Sequence, residues 1–173
     1  MWYLSPIDRL RRLFSNPRDL ELMRWWALDE RKKDDGVLCH PSDAQQWKDF
    51  DANYLEFHED SRNVRFTLST NGMNPFGDKT STHNTWPVIL SIYNLPPWLC
   101  QKRKYLLLAI IILGPKAPGI DIDVFLEPLM QEMETLWKYG VQMWDELAKS
   151  TFTCKAIIFV TITDYLGQFS LLG

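Results

Sequence analysis

Divalent-metal chemistry needs charged oxygen donors, and the sequence offers few places for it. Asp121 and Asp123 stand two apart in GPKAPGIDID, Asp164 follows the apolar run CKAIIFVTIT, and Asn71-Gly72 ends the alternating stretch NVRFTLST. Asp121 and Asp123 read better as a loop acid and a helix N-cap than as a metal pair, because an amphipathic pattern starts directly after Asp123. His40, His58 and His83 are not spaced as ligands. Cys39, Cys100 and Cys154 form no CxxC pair, which removes a zinc ribbon and a disulfide framework and favours a reducing compartment. Two basic groups could meet phosphates: Arg9, Arg11 and Arg12, and the run Lys102-Arg103-Lys104 near Trp98. Each also reads as a solvated surface.

The elements that position these groups come from a chain of 173 residues, 46% hydrophobic, 13% aromatic and 24% charged. That balance excludes disordered and collagen-like chains. A formal net charge of -3 gives no global basic excess, so any nucleic-acid role must come from a local patch or a metal site. The longest apolar run, Tyr105 to Leu113, is about half the ~20 residues that cross a bilayer, and the N-terminus lacks a signal-peptide pattern. The expectation is a soluble intracellular protein without a membrane partner.

Residues 1–35 read as two helices broken at Ser15-Asn16-Pro17. Trp47, Phe50, Tyr54 and Phe57 then recur at helical steps, a spacing that predicts core packing. Three strands follow in NVRFTLST, WPVILSIYNLP and KYLLLAIIIL, the last expected to be interior. The pattern Leu126, Leu129, Met130, Met133, Leu136, Trp137, Val141, Trp144 and Leu147 predicts one long helix capped by Asp123, with Pro128 in its first turn. CKAIIFVTIT is the fourth strand, expected to be an exposed edge. The reading is therefore α/β (α+β), with a helical region over 1–60 and a core over 61–173. A three-stranded meander, a helix and a return strand parallel to the first make a partial ribonuclease-H-like fold. Position 71 and Asp164 would then stand at neighbouring strand tips, where nucleases of that fold hold metal-binding carboxylates.

Six blocks make this specific: residues 11–26 (RRLFSNPRDLELMRWW), 34–51 (DDGVLCHPSDAQQWKDFD), 63–77 (NVRFTLSTNGMNPFG), 86–100 (WPVILSIYNLPPWLC), 114–137 (GPKAPGIDIDVFLEPLMQEMETLW) and 156–165 (AIIFVTITDY). In order and nearly end to end, the chain resembles the transposases of plant CACTA (En/Spm-like) DNA transposons. The resemblance implies a DDE/D-type enzyme of the nucleus that cleaves element ends and transfers strands with magnesium. Asp164 matches one catalytic, metal-binding position, and Asn71 occupies the first acidic one, where relatives read Asp-Gly. A neutral amide there implies a weak magnesium site. The third acid is expected beyond residue 173, and the cysteine-rich segment that relatives carry before this region is expected to be missing. The chain thus reads as an internal, truncated and catalytically inactive piece. Its implied partners are transposon-end DNA and a full-length transposase. The alternatives are a non-catalytic DNA-binding or assembly module and an unexpressed genomic relic.

Asn-Gly peptide bonds favour deamidation, so aged protein is expected to carry some Asp at position 71. Peptide mapping that finds Asn71 wholly unmodified contradicts this.

Overall fold

Strands of alternating polarity need neighbours for their backbone groups and a cover for their apolar face. The computed structural model, which describes residues 1–28, 37–73, 84–114 and 118–163, supplies both. Strand β1 (Trp2–Tyr3) leads into helices α1 (Pro6–Phe14) and α2 (Pro17–Met23). A 3-10 turn over Pro41–Asp43 precedes α3 (Gln45–Asn53) and α4 (Leu55–His58). Then come β2 (Val64–Thr70), β3 (Asn84–Ile92), α5 (Pro97–Cys100) and β4 (Leu107–Gly114). Helix α6 (Ile122–Lys138), the hairpin β5 (Val141–Asp145) and β6 (Ser150–Cys154), and β7 (Ala156–Thr163) complete the described chain.

The main sheet has the order β1-β4-β3-β2-β7. β2, β3 and β4 are antiparallel neighbours, and β7 returns parallel to β2, the arrangement expected from sequence. Val64, Phe66 and Leu68 of β2 and Val88, Leu90 and Ile92 of β3 are buried, in one hydrophobic core with Leu10, Phe14, Leu20, Leu129 and Leu136. The core thus joins side chains of the first helices to those of the sheet. Asn16 starts α2 by accepting from the Asp19 N–H at 3.1 Å, and Pro17 fits the first helical turn, so the predicted break is a capped helix start. No helix of the described residues is long and apolar enough to cross a membrane.

Four expectations change. Trp2 and Tyr3 pair with Ile111 and Ile110 in a short strand, so the helix begins only at Pro6, and β4 lies next to the sheet's β1 edge. Asp123 is not the cap of α6. The helix starts at Ile122, and Asp123 lies in its first turn, where a carboxylate suits the positive end of the helix dipole. Pro128 sits inside the helix. The carbonyl it leaves unpaired belongs to Val124, whose side chain is 67% exposed, on the wet face of the helix. Finally, the helix ends at Lys138, and Val141, Trp144 and Leu147 belong to the hairpin that follows.

Gly140 makes that ending. Its φ is +70°, and a Cβ there would fall 2.5 Å from Cγ2 of Thr153 and 3.0 Å from the Cys154 carbonyl oxygen. A left-handed residue beneath an adjoining strand has room for glycine alone. Gly140→Ala is expected to cost about 2 kcal/mol and lower Tm by roughly 4–8 °C. A melting curve that matches the parent's contradicts this.

Candidate functional site

Parallel pairing puts the C-terminal ends of β2 and β7 side by side. The register runs from Val64 opposite Ala156 to Thr70 opposite Thr163, with an irregularity after Phe66. Asn71 leaves β2 exposed to solvent. Gly72 lies directly on the Trp86 indole: a Cβ there would stand 2.8 Å from two ring carbons. Met73 then pairs with Thr85 through backbone bonds of 2.9 and 2.8 Å, which fixes the path of the chain past the tip. A concavity of about 490 Å³ opens here, with Ser69, Asn71, Pro87, Ile89 and Ile162 in its wall. Its donors are the Asn71 amide and the hydroxyls of Ser69 and Thr70. A magnesium ion calls for charged oxygens, and these described donors are neutral, so they do not fit the ion on their own. Asp164 follows Thr163 in sequence and lies outside the described residues, as does His83. Among the described residues no group of three His, Cys, Asp or Glu side chains could hold a metal.

The basic candidates stand at the other end of the sheet. Leu107, where β4 begins, is opposite Leu90, which is opposite Leu68, so the run 102–104 lies toward the start of β2. Arg9 donates to the Lys104 carbonyl at 3.2 Å, bringing two groups together that are 95 residues apart. Lys104 pairs with Asp19, which also accepts from the Tyr105 hydroxyl at 3.0 Å. Arg11 pairs with Asp8 at 3.1 Å, and Arg12, Lys102 and Arg103 are exposed. Carboxylates therefore offset part of this patch. His40 caps the 3-10 turn: its Nδ1 accepts from the Ser42 N–H at 3.0 Å. His58 pairs with Asp51 at 2.9 Å.

One charged residue escapes the sequence reading. Arg65 occupies the polar phase of NVRFTLST, which normally faces water, yet it is fully buried. Its guanidinium carbon lies 4.2 Å from the ring centre of Trp47, 4.8 Å from Trp26, 4.9 Å from Phe57 and 5.5 Å from Phe50. Aromatic faces attract a cation, and more strongly where water is excluded. The charge is met by Asp51, which pairs with Nη2, while Nε and Nη1 have no hydrogen-bond partner among the described residues. Burial pulls the guanidinium down to about 10, still protonated at neutral pH. The Arg65 backbone N–H donates to Asn94 Oδ1 at 2.8 Å, and Asn94 Nδ2 donates to the Asn63 carbonyl at 2.8 Å. The helical spacing of Trp47, Phe50, Tyr54 and Phe57 predicts core; Trp47 and Phe57 are buried and Phe50 partly so, but Tyr54, where the helix breaks between α3 and α4, is 48% exposed. What the spacing leaves out is that their core contains a charge.

A family model described as "Transposase family tnp2" matches residues 35–173, a span that includes β2, α6 and β7. No curated protein matches the chain, and no solved structure does.

Removing Asp51 strands a buried charge. Asp51→Ala is expected to cost about 3 kcal/mol or more, whereas Asp51→Ala with Arg65→Met recovers most of that loss, measured by urea unfolding. Equal destabilisation of the single and double variants contradicts the pairing.

Proposed function

The chain belongs to the tnp2 transposase family, and from that premise we propose a derivative of the DDE/D-type transposases of plant CACTA (En/Spm-like) elements. In this reading the core is ribonuclease-H-like, and the ancestral activity is metal-dependent DNA cleavage and strand transfer in the nucleus. One observation carries it: after three antiparallel strands and a helix, β7 lies parallel to β2 with Thr163 opposite Thr70. The residues that follow those two are Asp164 and Asn71, and we assign them to the acidic positions that the resemblance implies.

Asp164 is the proposed metal ligand, and magnesium bound there would supply activation of an attacking oxygen and stabilisation of a leaving one. Asn71 supports a weak site at most, because its amide oxygen carries no net charge to replace a carboxylate. We therefore read this chain as catalytically inactive. A second reading, a DNA-binding or transposase-assembly module, is favoured by the convergence of Arg9 with Lys104 on one surface. It needs no metal.

A supercoiled-plasmid assay separates the two. The purified chain is expected to give no nicking with magnesium or manganese. Robust nicking abolished by Asp164→Ala contradicts inactivity. Metal-independent, salt-dependent retention of DNA that weakens in Arg9→Ala favours the second reading.

A further inference from the structure

A second pocket lies at the opposite end of β7 from Asn71, between α3–α4, the last turn of α6 and the start of β7. Its volume is about 430 Å³, within the range of small-ligand sites. The backbone at Tyr54 (φ -127°, ψ 63°) interrupts the helix between α3 and α4 and leaves this aromatic side chain 48% exposed. Its ring meets the Trp137 ring edge-on, with centres 5.2 Å apart and planes at 78°. Buried Phe57 lies behind them, 5.5 Å from Trp137.

Two lysines complete the lining. Lys138 ends α6, and Lys155 precedes β7. Gly140 lies against Lys155: a Cβ on Gly140 would stand 3.3 Å from its Cγ. The lysines' carboxylate partners are surface groups. Lys138 pairs with Glu134 one turn back, both more than half exposed, and Lys155 is 3.7 Å from Glu56, which is 92% exposed. Such pairs contribute little and yield readily to a stronger anion. The two ammonium groups disfavour a cation, and together with the exposed Tyr54 ring and the half-buried Trp137 ring they suit a flat aromatic that carries negative charge.

We propose that this pocket binds an unpaired nucleotide of a DNA strand, its base against Tyr54 and Trp137 and its phosphate between Lys138 and Lys155. The proposal rests on DNA being the substrate class and adds a subsite to it. Stacking on aromatic rings tolerates any base, so no sequence preference is expected. β7 is eight residues long, which sets the pocket roughly 25 Å from the Asn71 tip and makes it a separate contact.

Fluorescence anisotropy of the full chain with a labelled oligothymidylate, in EDTA, tests this beside an abasic strand of equal length and free thymidine monophosphate. The parent should prefer the oligothymidylate to the abasic strand. Tyr54→Ala should lose about tenfold on the former and nothing on the latter, the retained abasic binding reporting that the variant is folded; Tyr54→Phe, which keeps the ring on Phe50 and Trp137, should bind as the parent does. Lys138→Ala with Lys155→Ala should lower the salt slope by about 0.7 on both strands, the value for one phosphate. Equal binding of the oligothymidylate by the parent and Tyr54→Ala overturns the subsite, and leaves the transposase reading standing if duplex DNA is still bound. Displacement by the free nucleotide at strand-equivalent concentration overturns the claim that a strand is the ligand. Failure to bind any DNA overturns the subsite and its premise together.

Discussion

Two parallel strands cannot be joined by a tight turn, and most of this molecule follows from that restriction. Between Thr70, where β2 ends, and Ala156, where β7 begins at the same end as Val64, the chain must run back along the length of the sheet. It does so through β3, β4, α6 and the β5–β6 hairpin. Each segment of that excursion adds apolar surface to one core: Val88 and Leu90, then Ile110, then Leu129 and Leu136, then Met143 and Phe152. The crossover that the parallel pair requires is thus also what covers the sheet.

Two further polar anchors join segments far apart in sequence. Glu132 on α6 accepts from the Tyr3 and Ser5 hydroxyls and from the Ile7 N–H, holding β1 and the start of α1 against the crossover helix. Burial and this carboxylate together push the Tyr3 phenol above its ordinary value. Arg62 lies over the Phe152 ring and bonds Asp60 and Asp145, tying the start of β2 to the hairpin. Burial alone would raise both carboxyls, but hydrogen bonds to Arg62, and for Asp145 also to the Leu147 and Ala148 N–H groups, hold them below the usual range. Groups so depressed stabilise the fold above the unfolded carboxyl range near pH 4, and that contribution fades as pH falls through the lowered values. With Arg65 in its aromatic cage, the molecule places charge inside wherever an opposite charge or a ring face can meet it.

The order of β2, β3, β4 and β7, the helix break at Pro17 and the parallel return were legible because each rests on local chemistry: alternation, a ring without an N–H, and the handedness of crossovers. The end of α6 was not, because Val141, Trp144 and Leu147 continue a three-residue spacing that suits a helix. The side chains that turn inward are Met143 and Asp145, two apart as a strand requires, and only Gly140 marked the change. Pro128 misled for the opposite reason, since a proline is tolerated where the orphaned carbonyl faces water. Asn71 was legible as a position and Trp86 beneath Gly72 was not, because the contact joins residues 14 apart through a strand pairing. Arg65 was invisible: periodicity sorts residues by face, and here the second face is also buried, by Trp47 and its neighbours.

Nitroxide labels on Ser69→Cys and Ile162→Cys, with exposed Cys39 replaced by serine, test the parallel pairing on which this account stands. Neighbouring strands are about 5 Å apart, so strong dipolar broadening of the doubly labelled spectrum is the predicted result. A spectrum equal to the sum of the two singly labelled ones would contradict it, and with it the case for a shared pocket at the strand tips.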